Sequence, residues 1–563
     1  MREVLGDDVP TKIGGFLSAW AATDDPGTVV LTGNAGTGKT ALAEIYCRTV
    51  RAELPADDGL IEVAPGRFVV KDLSGVRYEA DRLDVVQLAG ELREGSRNAK
   101  LLLCANEGLL RATIAGASRP DLADLLDKGL ANGAVRDARA VLINMNRQRW
   151  TGKEIWDGLL NYLTREELWQ PCECCGGAEW CPIRANALAF RRPVVRESAR
   201  WLVQFASGAG VATLRELLAV LAHAITGGLS CEDVKQRYDQ RGVEAFFADS
   251  AYFNLFFGDG LATARAERSP LLLSLRECGV GAVADLETDL WLRDSGVAPR
   301  ELRELAASNG VAAHTQVQTP VGPMSFQELG ETISLSDDRT TVQSCLENLA
   351  RGRNFLSLWR RRVFFEAAAF VRGRAGAFTR LSKFSYFDDL LDLVESLRAG
   401  RPMAEDRQRI VTGLNYLAAG FHSFAGHLVV ADGASLVARN PGSFRRPAPS
   451  LVHSQIPVDR VALRPEDSDE LREMLDADDV RVVLAVEHGA GEAAELVLTP
   501  RLYQAIRESG EYRAPVGRDI PEMVELESFY ATLAAAPSSD AVRIVDPSRE
   551  AIRAVTLPEF RSG

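Results

Sequence analysis

The chain has 563 residues, 46% of them hydrophobic, with a formal net charge of −13 and a pI near 5.2. That length exceeds what one hydrophobic core supports and implies several domains, while the acidic balance excludes an extended, sequence-blind coat for nucleic acid but leaves room for a local basic groove. No apolar run approaches the roughly 20 residues that span a bilayer and no basic-then-apolar leader opens the chain, so a cytoplasmic protein without membrane contact is expected.

From Thr28 to about Asn146, short apolar runs (Thr28–Thr32, Arg67–Asp72, Lys100–Ala105 and Ala138–Asn144) alternate with helical patterns. This is the rhythm of βαβ units around a parallel sheet, and it predicts an α/β core over residues 1–165. A cysteine-rich segment, 166–185, follows. Helical periodicity then takes over, with Arg196–Ala206 and Thr213–Thr226 carrying apolar residues at three- and four-residue spacing. It predicts a helical segment over 186–280 and a helical domain over 281–402. Past Pro402 the texture changes again: His427–Ala431, an Asp432-Gly433 turn and Ala434–Arg439 predict a hairpin, and Val480–Glu487 a further strand, so 403–563 is expected to be a mixed α/β domain that recognises a partner or DNA.

The segment Gly33-Asn34-Ala35-Gly36-Thr37-Gly38-Lys39-Thr40 fits the phosphate-binding pattern G-x-x-x-x-G-K-[ST], with an apolar strand before it and a helical stretch after it. Glycines let backbone amides wrap phosphates, the helix N-terminus adds partial positive charge, Lys39 reaches the β/γ-phosphates, and Thr40 ligates Mg2+. ATP with Mg2+ is the expected ligand. Hydrolysis needs an oriented water and support for the metal from a second strand. Leu101–Glu107 is the candidate, with Glu107 polarising the water and Asn106 where a carboxylate usually supports the metal; an amide supports a hard cation less well. The strand Val141–Asn146 ends in amides, and Asn146, with Asn144 second, is the expected γ-phosphate sensor.

A phosphate loop, an acidic strand end, an Asn-ended strand and a helical segment, in that order, resemble the AAA+ ATPases over roughly residues 10–270. The resemblance implies an α/β P-loop NTPase fold with a helical lid, a nucleotide at a subunit boundary in a homo-oligomer, and Arg215 of Thr213–Leu218 as a lid arginine that touches the γ-phosphate. Ala105-Asn106-Glu107-Gly108, the cysteines running into Cys181-Pro182, and Leu214–Leu218 are similar to the ATPase components of bacterial DNA phosphorothioation-linked antiphage restriction systems (the DptF-like group). That likeness implies ATP hydrolysis in a DNA-targeting defence complex, beside partner proteins and DNA. A nucleotide-gated scaffold with little hydrolysis, favoured by Asn106, and a DNA-translocating motor are the alternatives.

Cys172, Cys174, Cys175 and Cys181 supply enough thiolates for a structural Zn2+, although adjacent Cys174 and Cys175 are awkward joint ligands and three of the four with an outside group would also serve. A redox pair and unligated thiols are the other readings. Arg351, Arg353, Arg360, Arg361 and Arg362 offer an arginine finger or, as the pattern favours, a solvated or DNA-facing basic helical face. Val437–Asn440 with Phe444–Arg446 reads as a solvated loop with cations that could grip a phosphate backbone. His422, His427, His453 and His488 are too scattered for a metal site.

Overall fold

The computed structural model describes most of residues 9–283 and, beyond them, chiefly 316–319, 322–325, 360–366, 381–419, 426–431, 450–465, 473–476, 481–488, 492–512, 522–535, 542–546 and 551–555. The chain divides into two compact units: Met1–Glu277 with Leu286–Ala368 and Asp467–Asp478, and Cys278–Asp285 with Ala369–Glu466 and Asp479–Gly563. Among the described residues, no single helix is long and apolar enough to cross a membrane.

The first unit is built on a mostly parallel sheet of six strands in the order β2-β3-β4-β1-β6-β5: β1 Gly27–Thr32, β2 Ile61–Ala64, β3 Arg67–Val70, β4 Lys100–Ala105, β5 Ala134–Asp137 and β6 Ala140–Asn144. The four central strands run parallel, as their buried apolar runs demand, whereas β2 and β5 pair antiparallel at the edges. Strand alternation divides the core. Val29, Leu31, Leu102 and Ile143 face helices α1 (Lys12–Ala22) and α2 (Lys39–Thr49), where Ile13, Leu17, Leu42 and Tyr46 pack. Val30, Leu101, Leu103 and Leu142 face α3 (Glu79–Glu94), α4 (Glu107–Gly116) and α5 (Pro120–Asn132) through Leu88, Leu92, Leu110 and Leu125. Met474 and Leu475 complete the first of these cores although they lie far along the chain.

Helices α6 (Lys153–Thr164), α7 (Pro182–Ala189), α8 (Pro193–Ala206), α9 (Leu214–Thr226), α10 (Cys231–Arg241) and α11 (Pro270–Glu277) follow the sheet. A capping box starts α9: Thr213 Oγ1 accepts from the Glu216 amide at 3.2 Å while the Glu216 carboxylate accepts from the Thr213 amide at 3.0 Å. Helical residues 360–366 bury Phe364 and Phe365, and Phe365 stacks edge-on against Tyr252, Phe256 and Phe257. A short hairpin, β7 (Gln316–Thr319) with β8 (Gly322–Ser325), also falls in this unit.

The second unit holds helices α12 (Phe387–Arg398), α13 (Ala404–Ala419), α14 (Pro500–Tyr512) and α15 (Met523–Ala534) with two small sheets. Strand β9 (His427–Ala431) pairs antiparallel with β10 (Ser450–Pro457), and β14 (Val542–Asp546) and β15 (Ala551–Val555) complete that sheet in the order β15-β14-β10-β9. The residues expected to return from β9 as a hairpin, 434–439, lie outside the described residues. The other sheet is β11 (Val461–Pro465), β12 (Val482–His488) and β13 (Glu492–Leu498). Helices α13 and α14 cross so closely that a Cβ at Gly413 would stand 2.0 Å from the Ile506 carbonyl oxygen.

Candidate functional site

The loop Gly33–Thr40 joins buried β1 to α2 at the C-terminal edge of the parallel strands, where ligands of open α/β sheets collect. Gly36 and Gly38 hold φ of +88° and +91°, backbone that L side chains rarely adopt. Asn34, Ala35 and Thr40 are exposed, whereas Thr37 is buried and its hydroxyl donates to the Asn34 carbonyl at 2.9 Å. Lys39 turns back over the loop: its Nζ donates to the carbonyls of Gly33 at 2.6 Å and Asn34 at 2.8 Å. Burial pulls the Lys39 pKa down, while the Asp72 carboxylate acts in the opposite direction. Burial pushes the Cys104 thiol up to about 12, so it is a neutral neighbour at physiological pH.

The other strand ends meet the loop from both sides. Asn146 Oδ1 accepts from the Asn34 amide at 2.8 Å, and Asn144 Oδ1 accepts from the Asn146 amide at 3.1 Å, so Asn146 bonds the loop directly and Asn144 supports Asn146. Asn106 is exposed and caps α4, accepting from the Gly108 amide at 3.2 Å. Glu107 opens the same helix, with Arg111 one turn on at 3.9 Å. Strand order adds a residue to which the sequence reading gave no role. Register pairs Val70 of β3 with Leu103 of β4, and Leu103 with Val30 of β1, so the chain leaving β3 brings Asp72 to the same edge as Gly33. Its carboxylate accepts from the Ser74 amide at 2.9 Å and the Ser74 hydroxyl at 2.6 Å. Its signal was an acid just after an apolar strand, the same signal read at Glu107.

Residues ahead of and within α9 close over the loop. The Arg215 amide donates to the Gly36 carbonyl at 3.3 Å, and a Cβ at Gly36 would stand 3.0 Å from Arg215 Cβ. The Arg215 side chain is exposed above the loop. Trp150, also missed from sequence, is buried against Gly38, with its ring 3.5 Å from where a Cβ there would be. No family model, curated protein or solved structure matches the chain.

The thiols form a second feature. Cys172 and Cys175 share a turn, with the Cys175 amide donating to the Cys172 carbonyl at 3.3 Å. Burial raises the Cys172 pKa, and the neighbouring Cys181, Cys231 and Cys175 act in the same direction. Cys231 opens α10 and, like Cys174, is exposed. Among the described residues no group of three or more His, Cys, Asp or Glu side chains is arranged to hold a metal ion.

The arginines of helix 360–366 differ from the favoured expectation of a basic face. Arg360 forms a two-pronged bond with Asp289 (2.7 and 2.6 Å), Arg361 reaches Asp259 at 2.6 Å, and Arg362 meets Glu366 at 3.3 Å. Their periodicity resembles a solvated face, but carboxylates distant in sequence neutralise two of them. Arg351, Arg353 and the cationic loop of residues 437–446 lie outside the described residues.

Proposed function

We propose that this chain binds MgATP in the Gly33–Thr40 loop and hydrolyses it as the ATPase component of a bacterial DNA-targeting antiphage complex of the phosphorothioation-linked kind, in the cytoplasm. The observation that carries the nucleotide reading is the loop itself: three glycines between a buried strand and a helix N-terminus, with the Lys39 ammonium seated on the loop's own carbonyls. A triphosphate in that cradle would meet backbone amides, the positive end of α2, Lys39 and the exposed Arg215. The donor set suits Mg2+, a hard cation that takes oxygen ligands: the exposed Thr40 hydroxyl, with the Asp72 carboxylate at the same sheet edge and Asn106 as a weaker neighbour. Glu107 polarises the attacking water, and Asn146 senses the γ-phosphate from the far side of the loop. The defence role rests on the likeness of the short motifs around Asn106, Cys181 and Leu214, and a structural zinc at the cysteines belongs to the same reading.

The test is phosphate release by the purified chain with and without DNA, phosphorothioated and unmodified, beside Lys39→Ala and Glu107→Gln. Turnover lost in both variants, with stimulation by one kind of DNA, supports the reading; no turnover under any condition sinks the hydrolytic part. Two observations favour a second reading, a nucleotide-gated switch with little hydrolysis: Asn106 is engaged as a helix cap and Glu107 lies beside Arg111.

A further inference from the structure

The Met145–Arg147 turn that presents Asn146 to the loop is itself held from elsewhere. Residues Glu473–Asp476 belong to the first unit although the described chain before and after them belongs to the second. Met474 and Leu475 are buried, 1% and 0% exposed, in the core that also contains Met145. Asp476 then makes four polar contacts. Its carboxylate accepts from the side-chain amide of Gln148, 328 positions away in sequence, at 3.0 Å and from the Lys12 amide at 3.2 Å. Its backbone amide donates to Gln148 Oε1 at 3.3 Å, and its carbonyl accepts from the Arg149 amide at 3.1 Å. A carboxylate at the first amide of α1 also meets the positive end of that helix.

Gln148 is fully buried, and its amide donates to the Met145 carbonyl at 3.2 Å, which closes the turn. The turn presses on the loop without slack: a Cβ at Gly33 would stand 3.0 Å from Met145 Cβ and 3.3 Å from the Asn146 amide nitrogen. Displacing residues 148–149 would therefore carry Asn146 with them and release the Asn34 amide that its side chain holds at 2.8 Å.

We infer that Asp476 is a positioning residue of the nucleotide site, acting through Gln148 and the Met145–Arg147 turn to fix Asn146 against the phosphate-binding loop. The inference rests on the nucleotide reading above. It assigns to a segment remote in sequence a share in MgATP affinity that no contact with the nucleotide would reveal.

The test is MgATP affinity of the full chain by calorimetry for Asp476→Ala, Asp476→Asn, Gln148→Met, Asn146→Ala and the Asp476→Ala/Asn146→Ala pair, with Lys39→Ala as control. Amide exchange at Arg149 is measured alongside. Asp476→Ala, which loses both hydrogen bonds to the carboxylate, one part-buried and one exposed, should weaken binding roughly fivefold, the order of about 1 kcal/mol, and speed Arg149 exchange. Asp476→Asn, which keeps an oxygen acceptor, should restore most of the affinity. The double variant should bind no more weakly than Asn146→Ala alone, because the two residues act along one path. Wild-type affinity in Asp476→Ala despite fast Arg149 exchange would overturn the proposal, as would full additivity with Asn146→Ala. Should Asp476→Ala fail to fold, Gln148→Met carries the same comparison. If the wild type and Lys39→Ala both fail to bind, the nucleotide reading falls and takes the proposal with it, while Arg149 exchange still reports whether Asp476 holds the turn.

Discussion

Asp72→Asn separates the two carboxylates at the sheet edge. Asp72 caps a short 3-10 turn through Ser74, and an asparagine oxygen accepts the same Ser74 amide, so the fold should lose less than about 1 kcal/mol. What the substitution removes is a negative charge that acts on Lys39 and could support a cation beside Thr40. Losing one partner of a metal site costs roughly 10–100-fold in metal affinity, or about 1.4–2.8 kcal/mol. Glu107 sits instead in the first turn of α4, half exposed, where a surface pair with Arg111 contributes little. Glu107→Gln should therefore leave the Mg2+ requirement within about twofold of wild type while cutting phosphate release by at least about 10²-fold, the usual contribution of a positioned base. The assay is nucleotide binding titrated with Mg2+ at fixed ATP, with thermal melting of the metal-free variants as the folding control. An unchanged Mg2+ midpoint in Asp72→Asn, or a larger shift in Glu107→Gln than in Asp72→Asn, would refute the assignment.

Three further outcomes follow from the same geometry. If the thiols hold zinc, elemental analysis should find the metal in Cys174→Ser but not in Cys172→Ser or Cys231→Ser; retention in Cys231→Ser would remove that residue from the set. Glu366 is buried between Arg192 at 2.7 Å, Arg362 at 3.3 Å and Tyr252 at 2.7 Å; burial pushes its pKa up, but the two arginines outweigh that and hold it low. Glu366→Ala should cost about 3–5 kcal/mol in denaturant unfolding by removing the buried carboxylate that Arg192, Arg362 and Tyr252 share, and a change near zero would show that the cluster is not buried as described. Lys100 is buried against Trp20, and burial, with Arg67 nearby, lowers its pKa from 10.5 to about 8. Between those values the unfolded chain binds more protons, so wild type should gain stability relative to Lys100→Met as pH rises from about 8 to 10.5, and a flat difference would contradict the shift.

Features that depended on neighbours in sequence were legible, and those that depended on neighbours in space were not. Strands β1, β4 and β6 lie in the sheet interior, so each reads as an unbroken apolar run, and the glycine pattern needs only the strand before it and the helix after it. The role of an acid at a strand end depends on where that strand lies. Nothing local to Asp72 discloses that β4 separates its strand from β1, nor that register still carries it to the loop's edge. The arginines of helix 360–366 misled for the opposite reason: their spacing suggests a wet face, but Asp259 and Asp289 arrive from elsewhere in the chain. Residues 473–476 combine both difficulties. Two apolar residues beside an acid look like a loop between strands, yet the acid meets the first amide of α1 and the turn after β6 together. The loop proposed to hold the nucleotide thus has its chemistry written locally and its geometry set at a distance. Substitutions in the loop should therefore abolish binding, whereas those in its remote supports should grade it.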